Sequence, residues 1–257
     1  MRGFRDTVCL ALLAGGVLCG AGNVTADEGT GAGRLIETVA GSDDPATRAA
    51  AAAALGRLDA ADAEATGRAV TVLVEVLGFD RDFSMRGHAA EALGRLGPAS
   101  EEVVQALAAA LEWDTHLMVR WRAAEALQRI AAQFPETAAA AVPPLLGALA
   151  NDPAPGVRAR AAEALGAVDP GATAVVPALV QAFQSDAHPG VRWQAAAAVE
   201  LLAEHYAERG EAAAVGALRG AEAALAAHPH PEVRSNAQGL RQSLQRLEAR
   251  SGQQLSN

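Results

Sequence analysis

The chain has 257 residues and a formal charge of −9; 51% of it is hydrophobic and only 4% aromatic. Roughly a quarter is alanine, and every basic residue is arginine. Strand formers are too scarce for an all-β protein, the apolar content excludes wholesale disorder, and an acidic, lysine-free chain is ill suited to neutralising nucleic-acid phosphates or anionic lipid.

Residues 1–26 have the make-up of a secretory signal peptide. Arg2 and Arg5 give a positive start, an apolar stretch runs from Val8 to Leu18, and Val24-Thr25-Ala26 offers small residues for cleavage near Ala26. The stretch is short and broken by Gly15, Gly16 and Gly20, so it suits a cleaved leader better than a membrane span. Cleavage would remove Cys9 and Cys19, the only cysteines, leaving no disulfide, thiolate nucleophile or Cys-based metal site. That fits an exported protein, periplasmic or secreted. Residues 27–33 read as a flexible, glycine-rich linker.

From residue 33 to 247 one unit recurs six times. It aligns on Arg48, Arg86, Arg120, Arg158, Arg192 and Arg234, about 34 to 42 residues apart. Three and four residues after the Arg stand alanine pairs, such as Ala89-Ala90 and Ala161-Ala162. Seven after it stand Leu55, Leu93, Leu127, Leu165 and Val199. Those offsets mark one face of an α-helix. A second apolar stripe lies upstream, with Leu73, Leu107, Leu145 and Leu179 four residues before Leu77, Leu111, Leu149 and Phe183, so another helix precedes each Arg. Pro45, Pro155, Pro189 and Pro231 sit three before the Arg, where a first-turn proline belongs. Each unit is therefore a helix, a tight turn and a second helix. The sixth is more polar, with Ser235, Asn236, Gln238, Gln242 and Gln245, as a capping unit requires. Residues 248–257 read as a disordered polar tail.

The segments Met85–Gly94, Val119–Leu127 and Val157–Gly166 resemble HEAT repeats, most of all the short bacterial kind also called bilin-lyase-like. The resemblance implies an all-α, right-handed α-solenoid of about six repeats whose second helices line the concave side. It further implies that Arg48, Arg86, Arg120, Arg158 and Arg192 form an inter-repeat ladder with aspartates such as Asp114, Asp152 and Asp186. A HEAT-repeat enzyme that hydroxylates a modified lysine holds two irons through His-Glu dipeptides. His88 is followed by Ala89 and His205 by Tyr206 here, so that ligand set is missing.

Three groups of residues remain as candidates for function. Trp121 and Trp193 each follow a repeat Arg, outside the apolar stripe, and read either as binding anchors or as edge packing. Arg122, Glu125 and Arg129, with Arg160 and Glu163, lie along the same face as a solvated ladder or a polar groove. His116, His188 and His230 stand four before the Arg, as turn caps or, less simply, metal ligands. Trp113 reads as packing. No nucleophile–base pair or phosphate loop is present. The expectation is a non-enzymatic, monomeric scaffold without cofactor or metal, which binds a protein or peptide through Trp121, Arg122, Glu125, Arg160 and Trp193. The alternative is a carrier of a small molecule or bilin-type ligand.

Overall fold

The computed structural model describes residues 31–58, 62–96, 100–168, 174–209 and 214–254, with side chains to Ala249. The segments read as a signal peptide and, up to residue 30, as a linker, together with residues 59–61, 97–99, 169–173, 210–213 and 255–257, lie outside the described residues.

Among the described residues every regular element is helical. Helices α1 (Gly31–Gly41) and α2 (Pro45–Leu55) form the first repeat, α3 (Ala63–Phe79) and α4 (Phe83–Arg95) the second, and α5 (Glu101–Trp113) and α6 (Leu117–Gln133) the third. A one-turn helix α7 (Pro135–Ala138) and a 3-10 turn (Ala139–Ala141) lead into α8 (Val142–Asn151) and α9 (Pro155–Ala167), the fourth. Helices α10 (Val175–Ser185) and α11 (Pro189–Arg209) make the fifth. The sixth is α12 (Val215–Ala226), α13 (Pro231–Arg234) and α14 (Asn236–Gln254).

Two bounds differ from the sequence reading. Helix α1 already begins at Gly31, inside the segment read as linker, because Ala32 and Gly33 are buried against the first repeat. Helix α14 runs to Gln254, into the segment read as tail. Leu244 and Leu247 are buried, and a helix anchored that firmly extends at little further cost.

The helices stack in two layers. First helices pack in series, α1 on α3, α3 on α5, α8 on α10, and second helices do likewise, α4 on α6, α6 on α9, α9 on α11, α11 on α14. The alanine pairs are what let the second helices approach. Ala51-Ala52, Ala89-Ala90, Ala123-Ala124, Ala161-Ala162 and Ala195-Ala196 are all buried, as are Leu73, Leu107, Leu145 and Leu179 on the facing helices. The approach is closest eight residues after the repeat Arg. A Cβ on Gly94 would lie 2.7 Å from the Ala126 Cα, and one on Gly166 2.9 Å from the Ala198 Cα.

Turns are capped from the sequence in predictable ways. Asp44 accepts hydrogen bonds from the Ala46 and Thr47 amides, and Pro45, Pro155 and Pro231 occupy the first helical turn. Ala154 supplies no cap, as its side chain requires. In the sixth repeat the second helix breaks at Ser235, whose hydroxyl donates to the Glu232 carbonyl at 2.8 Å. A serine hydroxyl competing for backbone carbonyls is a known helix weakener.

Candidate functional site

The repeat arginines are tied into an inter-repeat network before any surface chemistry is considered. Arg86 Nε and Nη2 donate to the two oxygens of Asp114 at 2.6 and 3.0 Å. Arg120 grips Asp152 at 2.7 and 3.1 Å, and Arg158 grips Asp186 at 2.7 and 2.9 Å. Arg48 donates to Asp80 and, through Nε, to the Val39 carbonyl. The remaining Nη1 of Arg86, Arg120 and Arg158 donates to the backbone of its own turn. Each carboxylate also accepts an amide two residues on, for example Asp152 from Ala154 at 2.8 Å. One rung thus ties a second helix to the next repeat's first helix and to its turn. The carboxylates hold Arg86, Arg120 and Arg158 above the ordinary arginine range.

Arg192 departs from the expected ladder. Its Nη1 donates to the Asp186 and Ala187 carbonyls, but its buried Nε has no partner and no carboxylate meets it among the described residues. The cause is a replacement: His228 stands six before Arg234, where the other repeats have Asp. His228 is buried and keeps only half of the aspartate's role, accepting the His230 amide on Nδ1 at 3.2 Å.

Asp186 shows the pH consequence of a rung. Burial pushes its carboxyl up, but hydrogen bonds from Arg158 and the His188 amide, with the Arg158 charge, leave it below the ordinary value. A folded-state value below the unfolded one stabilises above the unfolded pKa, and the gain is lost as pH falls through the folded one. Asp186→Asn is therefore expected to destabilise at neutral pH, with its penalty shrinking below about pH 4 in acid titrations followed by circular dichroism.

His116 and His188 act as caps, whereas His230 at the same position makes no cap hydrogen bond with its side chain, its Nδ1 lying 3.5 Å from Glu232. His116 Nδ1 accepts the Met118 amide at 3.3 Å and His188 Nδ1 the Gly190 amide at 3.2 Å. Among the described residues no group of three His, Cys, Asp or Glu is arranged to hold a metal ion.

Trp121, Arg160 and Trp193 come together around one open groove of about 430 Å³, with Gly156, Ala159, Glu163 and Gln194 completing its walls. It spans the second helices α6, α9 and α11. The two tryptophans are not equivalent. Trp121 is half-buried against the core and lies 3.6 Å from where a Gly156 Cβ would stand. Arg160 covers its ring, the guanidinium carbon 5.0 Å from the centroid, and is itself held by Glu163 at 2.6 Å. Trp193 is 47% exposed.

Arg122 and Glu125 lie outside this groove. Arg122 reaches back to Glu91 of the preceding repeat, its Cδ resting 3.1 Å from where a Gly87 side chain would begin. Glu125 is engaged by Arg129 one turn on, at 3.1 Å. Both are structural ties on the same layer. The Arg122 charge and burial push His88 below its ordinary value, burial being the larger cause.

A second surface went unnoticed in the sequence. Phe79, Phe83, Trp113, Leu117 and Met118 are all exposed, Trp113 at 66%, so Trp113 is not the packing residue its position suggested. They make an apolar ridge on the turn edge of the second and third repeats, with Phe83 stacked on His116 at 3.6 Å. The signal was present in the alignment. Seven and three before the repeat Arg, the other repeats carry small or polar residues and proline.

Residues 33–128 and 114–200 match the family model of HEAT repeats, together well over half of the chain. The chain belongs to the HEAT-repeat family. The sixth repeat of this HEAT-repeat protein lies beyond the matched region, in keeping with its lost aspartate and broken helix. No curated protein matches the chain. Among solved structures it is similar to an engineered protein with 24% identity and a TM-score of 0.59, covering 86% of this chain and 98% of that one. It is similar, at 20% identity and a TM-score of 0.59, to a designed armadillo repeat protein in complex with the peptide (KR)4, over 84% of this chain and 100% of that one. YibA of Escherichia coli is 21% identical with a TM-score of 0.53, over 84% of this chain and 72% of that one. These likenesses establish the right-handed α-solenoid fold. Among the described residues no helix is long and apolar enough to cross a membrane.

Proposed function

We propose that this HEAT-repeat protein is a non-enzymatic scaffold that binds an extended segment of a partner protein in the groove between Trp121 and Trp193. The observation that carries the reading is the groove itself. Two indoles project from the second-helix layer two repeats apart, with the Arg160–Glu163 pair between them. Large aromatic side chains and arginine are the residue types that dominate binding hot spots. The repeat stack already fixes the layer that bears them, so little ordering entropy opposes binding. An armadillo-type solenoid of similar fold holds a peptide, which supports the same use here. The place of action we propose is the cell envelope, reached through the leader at residues 1–26.

The test is selection from a random peptide library on the wild-type protein. Selected peptides are expected to lose at least about tenfold in affinity on Trp121→Ala/Trp193→Ala. They should be insensitive to Phe79→Ser/Trp113→Ser. The reverse pattern would move the binding face to the turn-edge ridge and overturn the groove.

A further inference from the structure

The groove contains its own template for a ligand. Arg160, two residues after its ladder arginine, covers Trp121 of the preceding repeat. Trp193 occupies the same column as Trp121, two repeats on. The residue in Arg160's column beyond it is Asn236, which is buried and donates to the Val233 carbonyl at 3.4 Å. No cation therefore covers Trp193 among the described residues, and its ring stays open to solvent. In the column of Gly156, which underlies Trp121, stands Glu232, 46% exposed.

On the helix that carries Trp193, two carboxylates lack the close arginine partners found elsewhere in the layer among the described residues. In the second, third and fourth repeats the surface arginines are matched: Arg95 and Arg122 with Glu91, Arg129 with Glu125, Arg160 with Glu163. In the fifth, Glu200 and Glu204 follow Trp193 by seven and eleven residues. At 100° per residue both fall within about 20° of its line, roughly 10 and 16 Å along the axis. Glu200 has no ion pair or hydrogen bond among the described residues. Its carboxyl is pushed up by burial and then by the Glu204 charge. Glu204 has only Arg246, at 3.8 Å, with both side chains about half exposed.

Glu200 takes the place of the close-approach glycine found at Gly94 and Gly166. Room for it is made across the interface, because a side chain on Gly239 would run into the Glu200 carboxylate. A raised carboxyl of this kind destabilises the fold above the unfolded pKa, and the penalty vanishes as pH falls below it. Glu200→Gln is accordingly expected to raise the melting temperature at neutral pH and to have no effect at about pH 3, where both states are protonated. A charge that costs stability and has no partner among the described residues is one that an incoming cation can satisfy.

We propose, building on the groove reading, that the segment bound is basic. One arginine or lysine of the partner stacks on Trp193 in the position Arg160 takes over Trp121, and a second meets Glu200 and Glu204. Three residues of extended chain span about 10 Å, which matches the Trp193–Glu200 separation along α11. The net charge of −9 favours the same class of partner by long-range attraction.

The experiment uses the full chain and three blocked octapeptides: alternating lysine and arginine, alternating aspartate and serine, and alternating glycine and serine. Binding is read by calorimetry at low and at physiological salt, with a single cooperative melting transition of each variant as the folding control. Only the basic peptide is expected to bind, more weakly at the higher salt. Trp193→Ala should weaken it about tenfold and Glu200→Gln/Glu204→Gln about threefold. Equal binding of the basic and the acidic peptide, or basic-peptide binding indifferent to Trp193→Ala, would overturn the inference. Library selection separates the two readings. Neutral or acidic peptides that depend on Trp121 and Trp193 would leave the groove standing and defeat the basic segment, whereas no groove-dependent peptide at all would defeat both.

Discussion

Asp152→Ala is expected to lower the unfolding free energy by about 3 kcal/mol, measured by urea denaturation. Asp152 accepts three hydrogen bonds, two from Arg120 and one from the Ala154 amide. The two side chains are only 11% and 6% exposed. Alanine would leave a guanidinium largely out of water with two backbone carbonyls and no carboxylate hydrogen-bonded to it. Breaking one side of a buried pair is what makes such a change expensive; removing both sides is far milder. Arg120→Met added to Asp152→Ala should therefore recover at least about half of the loss. Arg192→Met should change stability by less than about 1 kcal/mol, because that arginine has no carboxylate to desert. If Asp152→Ala and Arg192→Met proved equally mild, the rungs would be surface decoration and not struts.

The second large effect is expected at Gly94. Leucine there should destabilise by about 3 kcal/mol, and even alanine by about 1 to 3 kcal/mol. In an ordinary helix interior alanine in place of glycine is worth up to about 1 kcal/mol of added stability. Here the new Cβ would sit 2.7 Å from both the Cα and the Cβ of Ala126. One of the two is backbone, so α4 and α6 would have to move apart and loosen the alanine contacts on either side. Gly147→Ala is the matched control. Nothing lies within 4 Å of its Cβ position in α8, so it should stabilise by about 0.5 to 1 kcal/mol. Opposite signs for one chemical change would establish that the interhelical approach, and not helix propensity, sets the role of Gly94.

The repeat period, the alanine pairs and the leucine columns could be read from the chain because they are local patterns that each unit states again. A helix face is determined by spacing alone, and six copies make the spacing unmistakable. Contacts between units are different, since they depend on two columns from different copies meeting in register. Glu91 and Arg122 sit thirty-one residues apart in the sequence, and only the stacking of α4 on α6 shows that they pair. The same stacking separates Trp121 from Trp193. Spacing makes them look identical, yet one lies under Arg160 and the other has Asn236 in its place. The placement of Arg192 on the ladder failed for a simpler reason. Its own column is intact, and the change is in the partner column, at His228. The turn-edge ridge was missed because Trp113 was considered as one residue and not as part of two columns that turn aromatic in neighbouring repeats.

The unfilled rung at Arg192 gives the molecule a direction. In a linear stack each repeat holds only its neighbours, so tension applied at the two ends passes undivided through every junction in turn. Four junctions are riveted by an arginine–aspartate pair, three of them two-pronged, while the last, between α11 and the sixth repeat, has a guanidinium without a carboxylate and a Glu200 carboxylate wedged over Gly239. A chain pulled from its termini in an optical trap would peel from the C-terminal end, one helical hairpin first, while the remainder stayed rigid. Anything tethered beyond residue 254 would then feel a compliant joint, and anything tethered before residue 31 a stiff one.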